Sequence, residues 1–255
     1  MPVADLPLLI EAAHHAAEIA LKYWQTDQRV DYKDGGSPVS EGDLAVDAYL
    51  RETLLAARPG YGWLSEETED DHARLTHDTV FIVDPIDGTR AYVDGQKTWA
   101  HSIAVAHKGQ PTAGVVFLPL RDKLYTATTG QGAFLNGEII RCASRTDPNG
   151  ADILAPRASL DAQWWRGDVP AFQRHFRSSL AYRFCLIADG RFDAMLTLRD
   201  AWEWDIAAGI LIAAEGGAKV TDRKGEAITL NSRKAQSSGI LTANTALHRA
   251  IGNRL

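Results

Sequence analysis

The chain has 255 residues, 45% of them hydrophobic and 24% charged, which suits a soluble globular protein with one large core or two smaller ones. Its formal net charge of -6 argues against a nucleic-acid polymer or an anionic membrane as partner, because both require basic surface. No apolar run reaches the roughly 18 residues of a membrane span, and the only cysteines, Cys142 and Cys185, suggest no disulfide framework, so a cytoplasmic setting is expected.

The first predicted element is a helix over 6–24, with Leu9, Ala12, Ala13, Ala16, Ile19, Ala20 and Tyr23 on one face. His14 and His15 lie beside that face. Adjacent helical residues diverge by about 100°, so the pair reads as solvated or half-buried rather than metal-binding. A turn-rich loop, Lys33-Asp34-Gly35-Gly36-Ser37-Pro38, leads to Ser40-Glu41-Gly42-Asp43 and a helix over 44–57. Ser40 with Asp43 fits a capping box. A short aromatic strand over 61–65 ends on Glu66-Glu67. Strand neighbours alternate between faces, so only one of these acids is expected to face a shared site. The run Glu69-Asp70-Asp71 reads as an exposed loop.

The residues Thr79-Val80-Phe81-Ile82-Val83 read as a buried strand, and Asp84-Pro85-Ile86-Asp87-Gly88-Thr89 follows directly. Pro85 lacks a backbone donor and is expected to end the ladder. Two ionised carboxylates about 4 Å apart repel by roughly 4 kcal/mol at an effective dielectric of 20, unless a cation or a shared proton offsets the cost. Mg2+ takes oxygen ligands of this kind. Strands over 102–106 and 112–117 flank His107-Lys108-Gly109-Gln110 as a hairpin, and 123–128 adds another strand. The glycines from Gly130 to Gly137 read as structural turns, because no helix pattern follows as a phosphate-cradling loop requires.

The composition shift over 142–149 marks a sub-domain boundary, giving an α+β part at 1–141 and an α/β part at 142–255. In the second part a helix is predicted over 178–188, ending at Gly190, then a strand over 192–198. The last informative helix, 204–214, carries Ile206, Ile210, Leu211 and Ala214 on its apolar face and closes at Gly216-Gly217. Asp205 stands in its first turn beside Trp204, and a buried carboxylate there requires a partner such as a metal.

Three stretches, Trp63-Leu64-Ser65-Glu66-Glu67, Asp84-Pro85-Ile86-Asp87-Gly88-Thr89 and Trp202-Glu203-Trp204-Asp205-Ile206-Ala207-Ala208-Gly209, occur in this order. Together they resemble the signature of the inositol monophosphatase superfamily of Mg2+-dependent, lithium-sensitive phosphatases, a resemblance that runs over about 33–217. It implies a layered α-β-α-β-α sandwich of mixed α+β and α/β character, with the site at the junction of the two halves, and often a homodimer. It also implies two Mg2+ ions sharing Asp84, with Glu66 and the Ile86 carbonyl on one and Asp87 and Asp205 on the other. A third, weaker ion would lie near Glu66. Glu66 thereby counts among the catalytic residues, and Asp43 with Thr89 would orient the attacking water. Lys33 would reach the site from its loop, and the amides of Gly88 and Thr89 would meet phosphate oxygens. No covalent phosphoenzyme is implied. Haloacid dehalogenase phosphatases also carry Asp-Gly-Thr, but their nucleophilic aspartate stands two residues before the second aspartate. Here the gap is three.

Substrate choice turns on fewer residues. Inositol phosphatases carry a hydroxyl-gripping glutamate about seven residues before the Trp-Asp aspartate, and this chain has Leu198 there, flanked by Thr197 and Arg199. In the helix around Ser179, Arg183-Phe184-Cys185 is similar to the basic-Phe-Cys sequence of the family's nucleotidases. Ser179 and Arg183 are therefore expected on the substrate side, with a 3'(2'),5'-bisphosphate nucleotide as substrate and inositol 1-phosphate or histidinol phosphate as alternatives. Some superfamily members instead bind the transcription machinery independently of catalysis, but five convergent carboxylates favour an enzyme.

Overall fold

The computed structural model describes residues 5–33 and 35–255. Helix α1 (Leu6–Tyr23) buries Leu9, Ala12, Ala13, Ala16, Ala17 and Ala20, and these small side chains let it lie close to its neighbours. After the short antiparallel pair β1 (Val30–Tyr32) and β2 (Pro38–Ser40), helix α2 (Glu41–Ala57) starts earlier than 44. The capping box is present, and its own turn begins the helix.

A seven-stranded sheet follows: β3 (Gly62–Ser65), β4 (Thr79–Asp87), β5 (Ala100–His107), β6 (Gln110–Leu118), β7 (Lys123–Thr128), β8 (Ala133–Leu135) and β9 (Glu138–Ile139), adjacent in that order. Only β3 and β4 are parallel. The β5–β6 loop shrinks to Lys108 and Gly109, whose φ values of 49° and 78° match the tight hairpin turn. Alternation along β4 divides the core. Phe81 and Val83 pack with α1 and α2, whereas Val80 and Ile82 pack on the opposite side.

Pro85 does not end this strand. β4 runs to Asp87, and its register with β5 shifts between Asp84↔Ser102 and Asp87↔Ala100. The missing amide falls within this irregularity, and the other neighbour, β3, has already ended opposite Val83. The expectation for Asp70 also changes. It is half-buried and pairs through 3.0 and 2.7 Å bonds with Arg74, a guanidinium sealed in the protein.

The second sheet has the order β11-β10-β12-β16-β14, built from β10 (Asp152–Leu154), β11 (Gln173–His175), β12 (Ala194–Thr197), β14 (Ala218–Thr221) and β16 (Ile240–Asn244). β12 is shorter than the predicted 192–198. Between the sheets lie α4 (Leu180–Ala188) and α5 (Glu203–Glu215). A Cβ on Gly209 would stand 2.5 Å from the Phe184 ring, so glycine is what lets these helices approach so closely. Helix α6 (Thr245–Gly252) covers the outer face of the second sheet with Leu247 and Ile251. The layers thus run α-β-α-β-α, as expected. No helix among the described residues is long and apolar enough to cross a membrane.

Candidate active site

The β4 terminus places Asp84 and Asp87 in one cavity with Glu66 and Asp205. Gly88 follows at φ 99°, a left-handed conformation that favours glycine, and turns the chain into the short helix α3 (Thr89–Val93). Beneath the bend, the buried His101 ring engages the Pro85 carbonyl through Nδ1. Burial lowers the His101 pKa to about 4, so the ring stays neutral.

Carboxylate oxygens of Glu66, Asp84 and Asp205 lie within 4.8 Å of one another. Asp84 is 1% exposed, and its Oδ1 has no hydrogen-bond partner among the described residues. Burial, then the charges of Glu66, Asp87 and Asp205, raises the Asp84 pKa well above the usual carboxylate range. Asp205 is raised in the same way, by burial and then by Asp87 and Glu66. A buried oxygen without a donor, inside a cluster of acids that resist ionisation together, fits a hard divalent cation.

Asp87 lines the same cavity but stands outside that trio. Its Oδ2 accepts from Ser179 Oγ at 2.7 Å and Ala181 N at 2.6 Å, and its Oδ1 from Leu180 N at 3.1 Å. The acid therefore caps the α4 N-terminus, where a carboxylate is favoured. Burial still holds its pKa up at about 6, against these bonds. Ser179, expected on the substrate side, is fully buried behind Asp87 and donates to that carboxylate.

Asp43 is 1% exposed and accepts from Ser40 N at 2.9 Å, while its Oδ1 faces Thr89 Oγ1 at 3.0 Å. The Thr89 hydroxyl also lies 3.2 Å from the Ile86 carbonyl, so two acceptors share one proton. Burial raises Asp43 to about 6, although the Ser40 bonds oppose it. Lys33 Nζ lies 2.9 Å from both Glu66 and Glu67. Strand alternation does not separate the two acids, because β3 ends at Ser65 and the next residues turn toward one ammonium. Burial, then the Glu66 charge, raises Glu67 to about 7.

Residues 5–254 match the profile of the inositol monophosphatase family. The chain belongs to that family. Inositol monophosphatase 2 of Solanum lycopersicum is 32% identical over 241 residues, spanning 90% of this chain and 91% of that protein. The protein named Nus factor SuhB from Xylella fastidiosa is 30% identical over 265 residues, spanning 96% and 91%. The crystal structure of extragenic suppressor protein suhB from Bartonella henselae superposes with a TM-score of 0.83 at 26% identity, covering 98% of this chain and 97% of that one.

Beside the acids of this inositol monophosphatase family member opens a second cavity of about 610 Å3. Asp87 and Asp205 form part of its wall, and Arg183, Arg199, Phe176 and Trp202 also line it. Arg183 is 6% exposed and makes no ion pair among the described residues. Its guanidinium is held by the carbonyls of Arg177 at 2.6 Å and Ser178 at 3.3 Å, and it lies 4.4 Å from the Phe176 ring centre. Burial lowers its pKa to about 10. Leu198 is buried and lines a different cavity with Trp164 and Arg223.

Sequence reasoning missed three supports. His101 was placed just outside a predicted strand. Asp47 accepts from Ser65 Oγ and, at 2.6 Å, from Thr68 Oγ1, bracketing the Glu66-Glu67 turn. Its place one helical turn after Asp43 was the available signal. Glu203, fully buried, accepts from Asn231 N at 2.6 Å and Ser232 N at 2.9 Å, and so anchors a distant loop under α5.

Proposed function

We propose that the protein is a Mg2+-dependent phosphomonoesterase whose substrate is a 3'(2'),5'-bisphosphate nucleotide. Glu66, Asp84 and Asp205 would hold the metal, joined by Asp87 and the Ile86 carbonyl in a two-ion arrangement with a weaker third position near Glu66. When bound, Mg2+ supplies Lewis-acid polarisation of the phosphoryl group and lowers the pKa of water.

The chain's own groups do the positioning. Donating a hydrogen bond to Asp43, the Thr89 hydroxyl presents a lone pair that orients the attacking water in line with the ester bond. As the new P–O bond forms and the ester P–O bond breaks, the water's proton passes to Thr89 Oγ1 and the hydroxyl proton to Asp43 Oδ1. A carboxylate with its pKa raised to about 6 is a better base at neutral pH than an ordinary aspartate. The leaving alkoxide takes its proton from solvent. The Gly88 and Thr89 amides would meet the phosphate oxygens, and Lys33 adds positive charge beside Glu66.

The observation that carries the substrate assignment is Arg183. A buried guanidinium without an ion pair among the described residues, feeling only the longer-range charges of Asp87 and Asp205 in the wall they share, is suited to a second anionic group on the substrate. Arg199 adds charge to the same wall, while Leu198 offers no oxygen to an inositol hydroxyl. Adenosine 3',5'-bisphosphate is expected to be hydrolysed far better than adenosine 5'-monophosphate. Arg183→Ala should narrow that gap by roughly tenfold to a hundredfold, the worth of a charge-assisted hydrogen bond. Arg183→Lys should fall between. Steady-state kinetics on both nucleotides checks this; equal rates in the wild type, or a clear preference for inositol 1-phosphate, would overturn the assignment. A second reading comes from the name Nus factor SuhB carried by relatives at 30% and 32% identity. A stoichiometric protein partner together with background activity on every phosphate would favour such a binding role.

A further inference from the structure

Trp202 and Phe176 are large apolar side chains left 43% and 49% exposed, and both line the cavity that opens beside Asp87 and Asp205. A single exposed tryptophan on a surface is ordinary. This one is held rigidly in the wall of a reaction site. Its ring stacks on Trp204 at 4.6 Å with only 9° between the planes. The Trp204 carbonyl accepts from Ser102 Oγ at 3.1 Å, which ties that peptide to β5. Trp202 itself lies in β13 (Ala201–Trp202), paired with Gln236 of β15 (Gln236–Ser237), and the next residue is the buried Glu203. One face of the Trp202 ring is therefore spent on Trp204, and a fixed aromatic surface remains open in the cavity.

Phe176 has the same character. The Arg183 guanidinium covers part of its ring, and the remainder is exposed in the same wall. Two exposed aromatic rings lining an open cavity of about 610 Å3 suit a flat ring that gains offset-stacked contact without any charge. We propose that Trp202 is the stacking platform for a planar aromatic ring, of the nucleobase class, on the leaving group of the substrate. Phe176 closes the other side of that ring's site. This assignment rests on the phosphomonoesterase reading, but not on the second phosphate.

The test compares adenosine 3',5'-bisphosphate with its abasic counterpart, which keeps the sugar and both phosphates but lacks the purine. Stacking of a base on an aromatic side chain predicts a preference in kcat/KM on the order of tenfold to a hundredfold for the base-bearing compound. In Trp202→Ala that preference should collapse toward one, and Trp202→Phe should restore most of it. Adenosine 5'-monophosphate should quench tryptophan fluorescence of the wild type on binding, and Trp202→Ala should weaken its affinity by a similar factor. A thermal melt of each variant confirms that the fold is intact. A wild-type ratio near one, or a ratio unchanged in folded Trp202→Ala, overturns the proposal. Equal rates on bisphosphate and monophosphate nucleotides, with the base preference intact, would instead remove the second-phosphate reading alone.

Discussion

Asp84→Asn is expected to abolish phosphate release and, in metal-free protein at neutral pH, to raise the melting temperature. The loss follows from position: Asp84 is the buried member of the carboxylate trio, and its Oδ1 has no other partner among the described residues. The gain follows from charge. Burial and four acidic neighbours, Glu66, Asp87, Asp205 and Asp43, make the ionised Asp84 costly in the folded state, and each pKa unit of such a rise corresponds to about 1.4 kcal/mol. Asparagine keeps the shape of the protonated acid without that cost, and about 1 kcal/mol should move the melting point by roughly 2–4 °C in a chain of this size. The pH dependence has a definite sign. Asp84 and Asp205 are raised well above the ordinary range, Asp43 and Asp87 to about 6, and Glu67 to about 7. Between about pH 4 and 7 the folded protein therefore holds more protons than the unfolded chain, and metal-free stability falls as pH rises. Asp84→Asn should flatten that fall. Melting curves across this window in a chelating buffer check it; a variant less stable than wild type at pH 7 would contradict the electrostatic reading of the cluster.

The second large effect is expected at Asp43→Asn. Asparagine preserves an oxygen for the capping box, so α2 should remain folded. What disappears is the acceptor for the Thr89 proton. General-base assistance is worth about 10²–10⁴-fold, so kcat should fall within that range while KM changes little. Thr89→Ala should cost a similar factor, and the double variant little more than either alone, because the two groups act as a unit through one 3.0 Å hydrogen bond. Additive losses in the double variant would mean that Asp43 and Thr89 act separately.

Much of this site was legible because its chemistry is packed into short stretches. Asp84, Asp87 and Thr89 are close along the chain, and the β-branched and aromatic run before them reads as a buried strand. The capping box at Ser40 and the apolar stripe of α5 were equally local. What escaped was set by partners distant in sequence. Pro85 was read as a strand terminus because a single strand does not reveal that one neighbour stops at Ser65 and the other slips register. Glu66 and Glu67 were assigned to opposite faces by alternation, which fails once the strand ends and Lys33 draws both together. Asp70 was left to solvent although its partner Arg74 stands only four residues on, because Arg74 is itself buried against distant residues, Asn231 and Ser232. Ser179 was placed near substrate by its neighbourhood, yet the helix it caps turns its hydroxyl onto Asp87. Trp202 differs again: the sequence marks it only as the start of the Trp202–Gly209 stretch, and the fold shows that its ring remains open.

The central claim is that Glu66, Asp84 and Asp205 hold Mg2+ for phosphoester hydrolysis. The most direct test is phosphate release from adenosine 3',5'-bisphosphate by metal-stripped protein, followed as Mg2+ is restored. The account predicts background turnover without metal and saturable recovery with Mg2+, absent in Asp84→Asn. Full wild-type turnover persisting in excess chelator would contradict it.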